Sequence, residues 1–293
     1  MSRPWKRPSR ASASVNADSA APVVRSIRSQ AIKARLLTAI VLIALALVGI
    51  FYLPPMGILA LGLILALLAG LEWAELSHIH RRWAQWPFAL LVVAATAVLT
   101  GLRPEALAAA ALVWWLLVAA EIPVFWPQTD ELAYRAANGL AGLATLGPAL
   151  ALLVVLVRES PWEAVTLLVA VWAADVGAYA VGSFLGRHRL VPHISPGKTW
   201  EGLIGGAVLG AAAAGAMAWG ASEVGPIPVF AGIGALVALV GQVGDLAVSM
   251  IKRRAGRKDS GRFLPGHGGI LDRIDSLTAA VPVYVLCLRG VGL

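Results

Sequence analysis

The stretch IPVFAGIGALVALVGQVGDLAVSM (residues 227–250) runs directly into IKRRAGRKDSGRFLPGHGGILDRID (residues 251–275). The first part is long enough to cross a bilayer as a helix, because a hydrocarbon core about 30 Å thick takes about 20 apolar residues. Its one charged residue is Asp245. The second part is the most polar internal stretch of the chain. It carries Lys252, Arg253, Arg254, Arg257, Lys258, Arg262 and Arg273 together with Asp259, Asp272 and Asp275. Carboxylates bind hard cations; lysines, arginines and glycine turns bind phosphates. An apolar helix opening onto such a set reads as a membrane protein that handles a phosphorylated substrate with a metal ion at the bilayer surface.

Working outward, the whole chain supports a lipid setting. Its 293 residues are 59% hydrophobic and 14% charged, with a mean hydropathy of +0.78. An average soluble domain is about 25% charged. The single cysteine, Cys287, excludes a disulfide within the chain and a cysteine-based zinc cluster. Eight of the basic residues fall in positions 1–35 against one acid, Asp18. That stretch is rich in Ser, Ala and Pro and reads as a disordered basic tail held in the cytoplasm near anionic lipid, not as a nucleic-acid-binding arm.

Nine stretches are apolar enough to span: 36–53, 56–76, 86–102, 104–121, 139–157, 161–185, 202–221, 227–250 and 276–293. The expected fold is therefore all-α, a polytopic integral membrane protein of about nine transmembrane helices. Residues 36–160 would form the amino-terminal helices and 161–293 the catalytic region. Nine crossings from a cytoplasmic amino terminus put loops 77–85, 122–138, 186–201 and 251–275 inside. These hold most of the internal basic residues, while Arg103, Arg158 and Arg289 fall outside. This matches the positive-inside rule. Small residues four apart, at Ala174, Ala178, Gly182 and Gly186 and at Gly202, Gly206 and Gly210, let helix backbones approach closely. They permit a homodimer without requiring one. Tryptophans such as Trp83, Trp86, Trp126, Trp162 and Trp200 lie near span ends and suit an interfacial belt.

Three polar elements converge on the cytoplasmic side. Asp175 lies inside a span, where a carboxylate costs roughly 2.5–3.5 kcal/mol on insertion scales and so faces a partner or a wet cavity. Tyr179 lies one turn on, on the same face. The second element is Ile-Ser-Pro-Gly-Lys-Thr-Trp-Glu-Gly, residues 194–202. A P-loop reading of Gly-Lys-Thr fails, since position 192 is proline where that motif needs glycine. What remains is a loop with Ser195, Lys198 and Thr199 leading into a helix, Lys198 suited to hold a phosphate. Glu201 in the helix's first turn serves capping or catalysis equally well. The third element is 242–276. Ser249 and Lys252 follow Asp245 at helical spacing. Gly266, Gly268 and Gly269 around His267 free the backbone to present N–H groups to an anion. Asp272 and Asp275, three apart at a helix start, point the same way.

At these residues the chain closely resembles the phosphatidate cytidylyltransferases, or CDP-diacylglycerol synthases. Every fixed position of the family signature is filled, from Ser249, Lys252-Arg253, Lys258-Asp259 and Gly261 through Leu264-Pro265, His267-Gly268-Gly269 and Asp272-Arg273 to Asp275. Asp175 to Gly182 and Ser195 to Gly202 are similar to two upstream family elements. The resemblance covers about residues 172 to 277. It departs at Val248, where the family typically has an acid, and that change implies a weaker grip on the metal.

The resemblance implies that CTP and phosphatidic acid give CDP-diacylglycerol and pyrophosphate, a step of phospholipid synthesis at the plasma (inner) membrane. A phosphatidate oxygen would attack the α-phosphorus of CTP in line. Mg²⁺, with room for a second cation, would be held by Asp245 and Asp272. Lys198, Lys252, Arg253, Lys258 and Arg273 would bind phosphates, helped by Ser195, Thr199, Ser249 and the Gly268 and Gly269 backbone. Asp175, Glu201, Asp259 and Asp275 would order the site, and His267 would hydrogen-bond a phosphate. The competing readings are a CTP-dependent enzyme for another lipid phosphate or a polyprenol, and a membrane transporter. The Asp-Gly-x-x-Ala-Arg pattern of CDP-alcohol phosphotransferases is absent.

Overall fold

Apolar runs bounded by proline become helices whose first turn has no need of the missing N–H. Pro55, Pro104 and Pro161 each open one. A computed structural model describes residues 40–41, 43–124, 131–220, 225–261, 263 and 268–292 of the chain. The expected basic tail at 1–35, Trp126 and His267 lie outside the described residues. Among those described are nine helices: α1 (Ile43–Tyr52), α2 (Pro55–Leu76), α3 (Arg82–Leu99), α4 (Pro104–Glu121), α5 (Glu131–Glu159), α6 (Pro161–Leu185), α7 (Trp200–Gly220), α8 (Ile227–Arg254) and α9 (Leu271–Gly290). Seven of them, α2 to α8, are long and apolar enough to cross a membrane. The fold is all-α and polytopic, as expected. α1 is a shorter apolar helix, and α9 carries Asp272, Arg273 and Asp275 in its first two turns.

Helix ends differ from the expected bounds where polar residues continue an apolar helix. α8 runs on to Arg254, and α9 starts at Leu271 rather than 276. Both shifts bring site residues onto rigid helices. Pro148 lies inside α5 and Pro87 inside α3.

The loops expected to share one side do so. Glu75 at the end of α2 pairs with Arg257 after α8 at 2.6 Å, and Glu121 at the end of α4 pairs with Arg254 at 3.0 Å. The Tyr134 hydroxyl near the start of α5 donates to the Leu76 carbonyl at 3.3 Å. At the opposite end Arg289 pairs with Glu159 and, at 3.5 Å, with Glu105, and Arg158 donates to the Pro55 carbonyl at 2.7 Å.

The small-residue faces pack against each other within the chain. A methyl at Gly202 would stand 2.8 Å from the Ala178 carbonyl oxygen, and one at Gly206 would stand 2.9 Å from that of Ala174. These positions of α6 and α7 are therefore occupied by each other. The tryptophans divide. Trp83, Trp86, Trp162 and Trp200 are exposed, as a belt requires. Trp73 and Trp115 are buried and donate to the Asn138 and Thr278 carbonyls at 2.8 and 3.0 Å.

Between α6 and α7 the expected loop is instead a short antiparallel hairpin, β1 (Arg189–Val191) and β2 (Ser195–Thr199), with Arg189 opposite Thr199 and Val191 opposite Ser195. Its tip residue Ile194 is fully buried in a cluster with Ile122, Leu246 and Met250. Burying that side chain fixes the hairpin to α8, which local composition does not reveal.

Candidate active site

The ends of α6, α7, α8 and α9, the hairpin and residues 258–259 line one cavity of about 750 Å³. That volume is in the usual range of ligand sites. Asp175, Asp245, Asp272 and Asp275 all reach its wall, with Lys198, Lys252, Arg253, Lys258 and Arg273. Asp245 and Asp272, far apart in sequence, thus share a cavity.

Each of these two aspartates is held by a lysine. Lys198 Nζ lies 2.6 Å from Asp245 Oδ2, and Lys252 Nζ lies 2.7 Å from Asp272 Oδ1. The hairpin supplies Lys198 and α8 supplies Asp245, so this pair spans two elements. The Ser249 hydroxyl, one turn along α8, donates to Asp245 Oδ1 at 3.3 Å. Lys252 and Asp272 are nearly sealed from solvent, their side chains 11% and 10% exposed. A buried ion pair is strained by desolvation unless further hydrogen bonds meet it. Here the other oxygen of Asp272 accepts from the Ser260 and Gly269 backbone N–H groups at 2.9 and 3.0 Å.

Other expected residues act differently. Glu201 does not line the cavity. It accepts from the Arg187 and His188 backbone N–H groups and contacts His188 Nδ1 at 2.6 Å. It thereby holds the turn that follows α6. Thr199 lines the cavity, but its hydroxyl accepts from the Gly202 N–H at 3.1 Å and so caps α7. Ser195 begins β2 and pairs with Val191, away from the cavity wall. Gly268 and Gly269 do not line the wall either. Gly268 has φ +79°, and a methyl there would stand 2.7 Å from Asp272 Oδ2, so its glycine lets the backbone wrap the aspartate. Arg253 faces the cavity and also donates to the Ile194 carbonyl at 3.1 Å, tying hairpin to helix. Ser249, Lys258, Asp259 and Arg273 reach the wall as expected. Val248 is fully buried and off the wall, so the change from the family's acid takes no carboxylate from the cavity lining seen here.

Among the described residues, no three His, Cys, Asp or Glu side chains converge to hold an ion. Mg²⁺ does not need three: it usually keeps several waters and takes one or two carboxylates plus substrate phosphates. Asp245 and Asp272 supply hard oxygen donors of that kind beside cations suited to phosphate, so the donor set fits.

Residues 33–291 match the Cytidylyltransferase family. The chain belongs to that family. A phosphatidate cytidylyltransferase of Pseudomonas aeruginosa is 40% identical over 268 residues, covering 89% of this chain and 98% of the relative. One from Haemophilus influenzae is 35% identical over 285 residues, covering 86% and 97%. One from Brucella suis is 44% identical over 130 residues, covering 42% and 45%. The expected resemblance is borne out, and the chain is a nucleotidyltransferase enzyme. For a cytidylyltransferase, a cavity with carboxylates and phosphate-binding cations side by side is the chemistry the reaction needs.

Sequence reasoning passed over Glu72. It sits near the end of α2, 2% exposed, and accepts from the Ser260 hydroxyl and from the Ile270 and Leu271 N–H groups at 2.8, 2.9 and 2.8 Å. The rule that singled out Asp175, a carboxylate within an apolar span, applies equally to Glu72. Arg189, Gln242 and Ser276 also line the cavity and were not anticipated.

Proposed function

We propose that this cytidylyltransferase moves the cytidylyl group of CTP onto phosphatidic acid, giving CDP-diacylglycerol and pyrophosphate. The observation that carries the reading is the single cavity shared by Asp245 and Asp272, each in contact with a lysine. The names of the relatives support phosphatidate as the acceptor. An oxygen of the phosphatidate phosphate attacks the α-phosphorus of CTP. The bond from that phosphorus to the bridging oxygen breaks, and pyrophosphate leaves. The nucleophile is already an anion, so no general base is required.

Asp245 and Asp272 would hold Mg²⁺, which would supply charge neutralisation to the triphosphate. Lys198 and Lys252 neutralise those aspartates beforehand. Both lysines would also serve phosphate oxygens as point charges. Arg253, Lys258 and Arg273 add fixed positive charge on the same wall, where preorganised charge is worth more than in water. Asp175 and Asp275 orient these cations. The basic loops at the site end support a cytoplasmic site in the plasma (inner) membrane.

The test is purified full-length protein with CTP labelled at the α-phosphate, phosphatidate and Mg²⁺. Label should enter a lipid product in step with pyrophosphate release. Label transferred only to a polyprenyl phosphate, or no pyrophosphate release at all, would defeat the reading.

A further inference from the structure

The loop that carries the signature residues ends on a carboxylate from the other half of the bundle. The first N–H groups of a helix have no partner within it. At α9 the N-cap residue Ile270 has no side-chain cap. Glu72 of α2 fills that role, accepting from Ile270 N and Leu271 N at the positive end of the helix dipole. The same carboxylate holds the Ser260 hydroxyl. Ser260 and Gly269, on either side of this contact, are the two residues whose N–H groups hold Asp272 Oδ2. Space confirms the fit. A methyl at Gly261 would overlap Glu72, which supplies its three nearest atoms, and one at Gly269 would overlap Glu72 and Ser260. Two signature glycines are therefore small because Glu72 fills the room.

We infer that Glu72 is a positioning residue: it ties Ser260 to Ile270 and Leu271 and thereby sets where Asp272 points into the cavity. Its effect on turnover rests on the function proposed above; its effect on the loop does not.

Glu72→Gln keeps the shape but turns one acceptor into a donor facing N–H or O–H donors, whichever way the amide lies. In the full-length protein, hydrogen exchange in the peptide covering 257–271 should speed up about tenfold or more, with exchange in α3 to α7 unchanged. The kcat should fall about 10–100-fold, as for a misplaced reacting group, with KM for phosphatidate held. Gly261→Ala should reproduce both changes with the carboxylate still present. In a Glu72→Ala background Gly261→Ala should cost little further, because its nearest clash is gone.

Wild-type exchange in the loop of either single variant, or effects of the two changes that multiply, would overturn the inference. So would faster exchange throughout the bundle, which would make Glu72 a stability residue only. If Glu72→Gln does not fold, Gly261→Ala and its double variant decide. A wild-type protein that labels no lipid defeats the proposed function, and the exchange measurements still judge Glu72.

Discussion

The bundle has two halves that do different work with similar helices. α6 to α9, their hairpin and the segment between α8 and α9 provide every described side chain on the cavity wall, and α2 to α5 provide none. Yet the first half is not inert packing. Glu72 reaches the signature loop, Glu75 holds Arg257, and Trp115 is bonded to the Thr278 carbonyl of α9. The wall brings together carboxylates and cations from several helix ends, and helices without such ends hold those positions from outside. Variants on the wall should therefore change turnover far more than variants off it.

The largest effect is expected at the shared carboxylates. Asp245→Asn and Asp272→Asn should each lower cytidylyl transfer about 10²–10³-fold, the size seen when one preorganised electrostatic group is lost. Labelled CTP turnover on folded, purified variants measures this. Retained turnover in Asp245→Asn would leave the wall without a metal role.

Next are the paired lysines, which differ from each other in burial. Removing one partner of a buried pair costs about 3–5 kcal/mol, because the other charge is left uncompensated. Lys252→Met strands a nearly sealed Asp272, whereas Lys198→Met leaves an Asp245 whose side chain is 28% exposed. Thermal unfolding in detergent should therefore drop more for Lys252→Met, while both lose turnover. Equal drops would show that burial does not separate the two pairs.

These residues also mark how far the sequence could be read. Asp245, Asp272, Lys198 and Lys252 were legible because charges in an apolar chain need a reason, and glycine-rich basic loops give one. The spans were legible from length and apolarity. The hairpin was not: two strands of three and five residues are held by the burial of Ile194 against α8, a contact made far along the chain. The early start of α9 was hidden for a related reason. Its first turn is capped from α2, 199 residues away from Leu271, so no local capping residue announces it. Glu201 could not be read further, because an acid in a first turn looks the same whether it faces a ligand or the preceding turn.

Two smaller effects sharpen the boundary of the wall. Thr199→Val removes the cap of α7 and should lower stability by about 1 kcal/mol, as cap losses do. It should lower turnover only severalfold, since Lys198 beside it keeps its carboxylate. Urea or thermal unfolding and a turnover assay measure the two. Glu201→Gln keeps the shape that holds residues 187–188. It should retain turnover within about tenfold of wild type, far from the loss expected when a transition-state contact is removed. A loss as large as that of Asp245→Asn would return Glu201 to the catalytic set.

The smallest effect belongs at the far end of the bundle. Arg289 at the end of α9 pairs with Glu159 of α5 and Glu105 of α4, side chains that are 36%, 50% and 42% exposed. Pairs open to solvent contribute about 0–1 kcal/mol. Arg289→Ala should then shift unfolding slightly and leave kcat and KM for CTP unchanged. The site and this cluster lie at opposite ends of α9, so a change in turnover would need motion of the whole helix. If Arg289→Ala did slow cytidylyl transfer with stability intact, α9 would have to be a lever joining its two ends. Asp272 would then be set from both Glu72 and the far side, and the division of labour between the halves would fail.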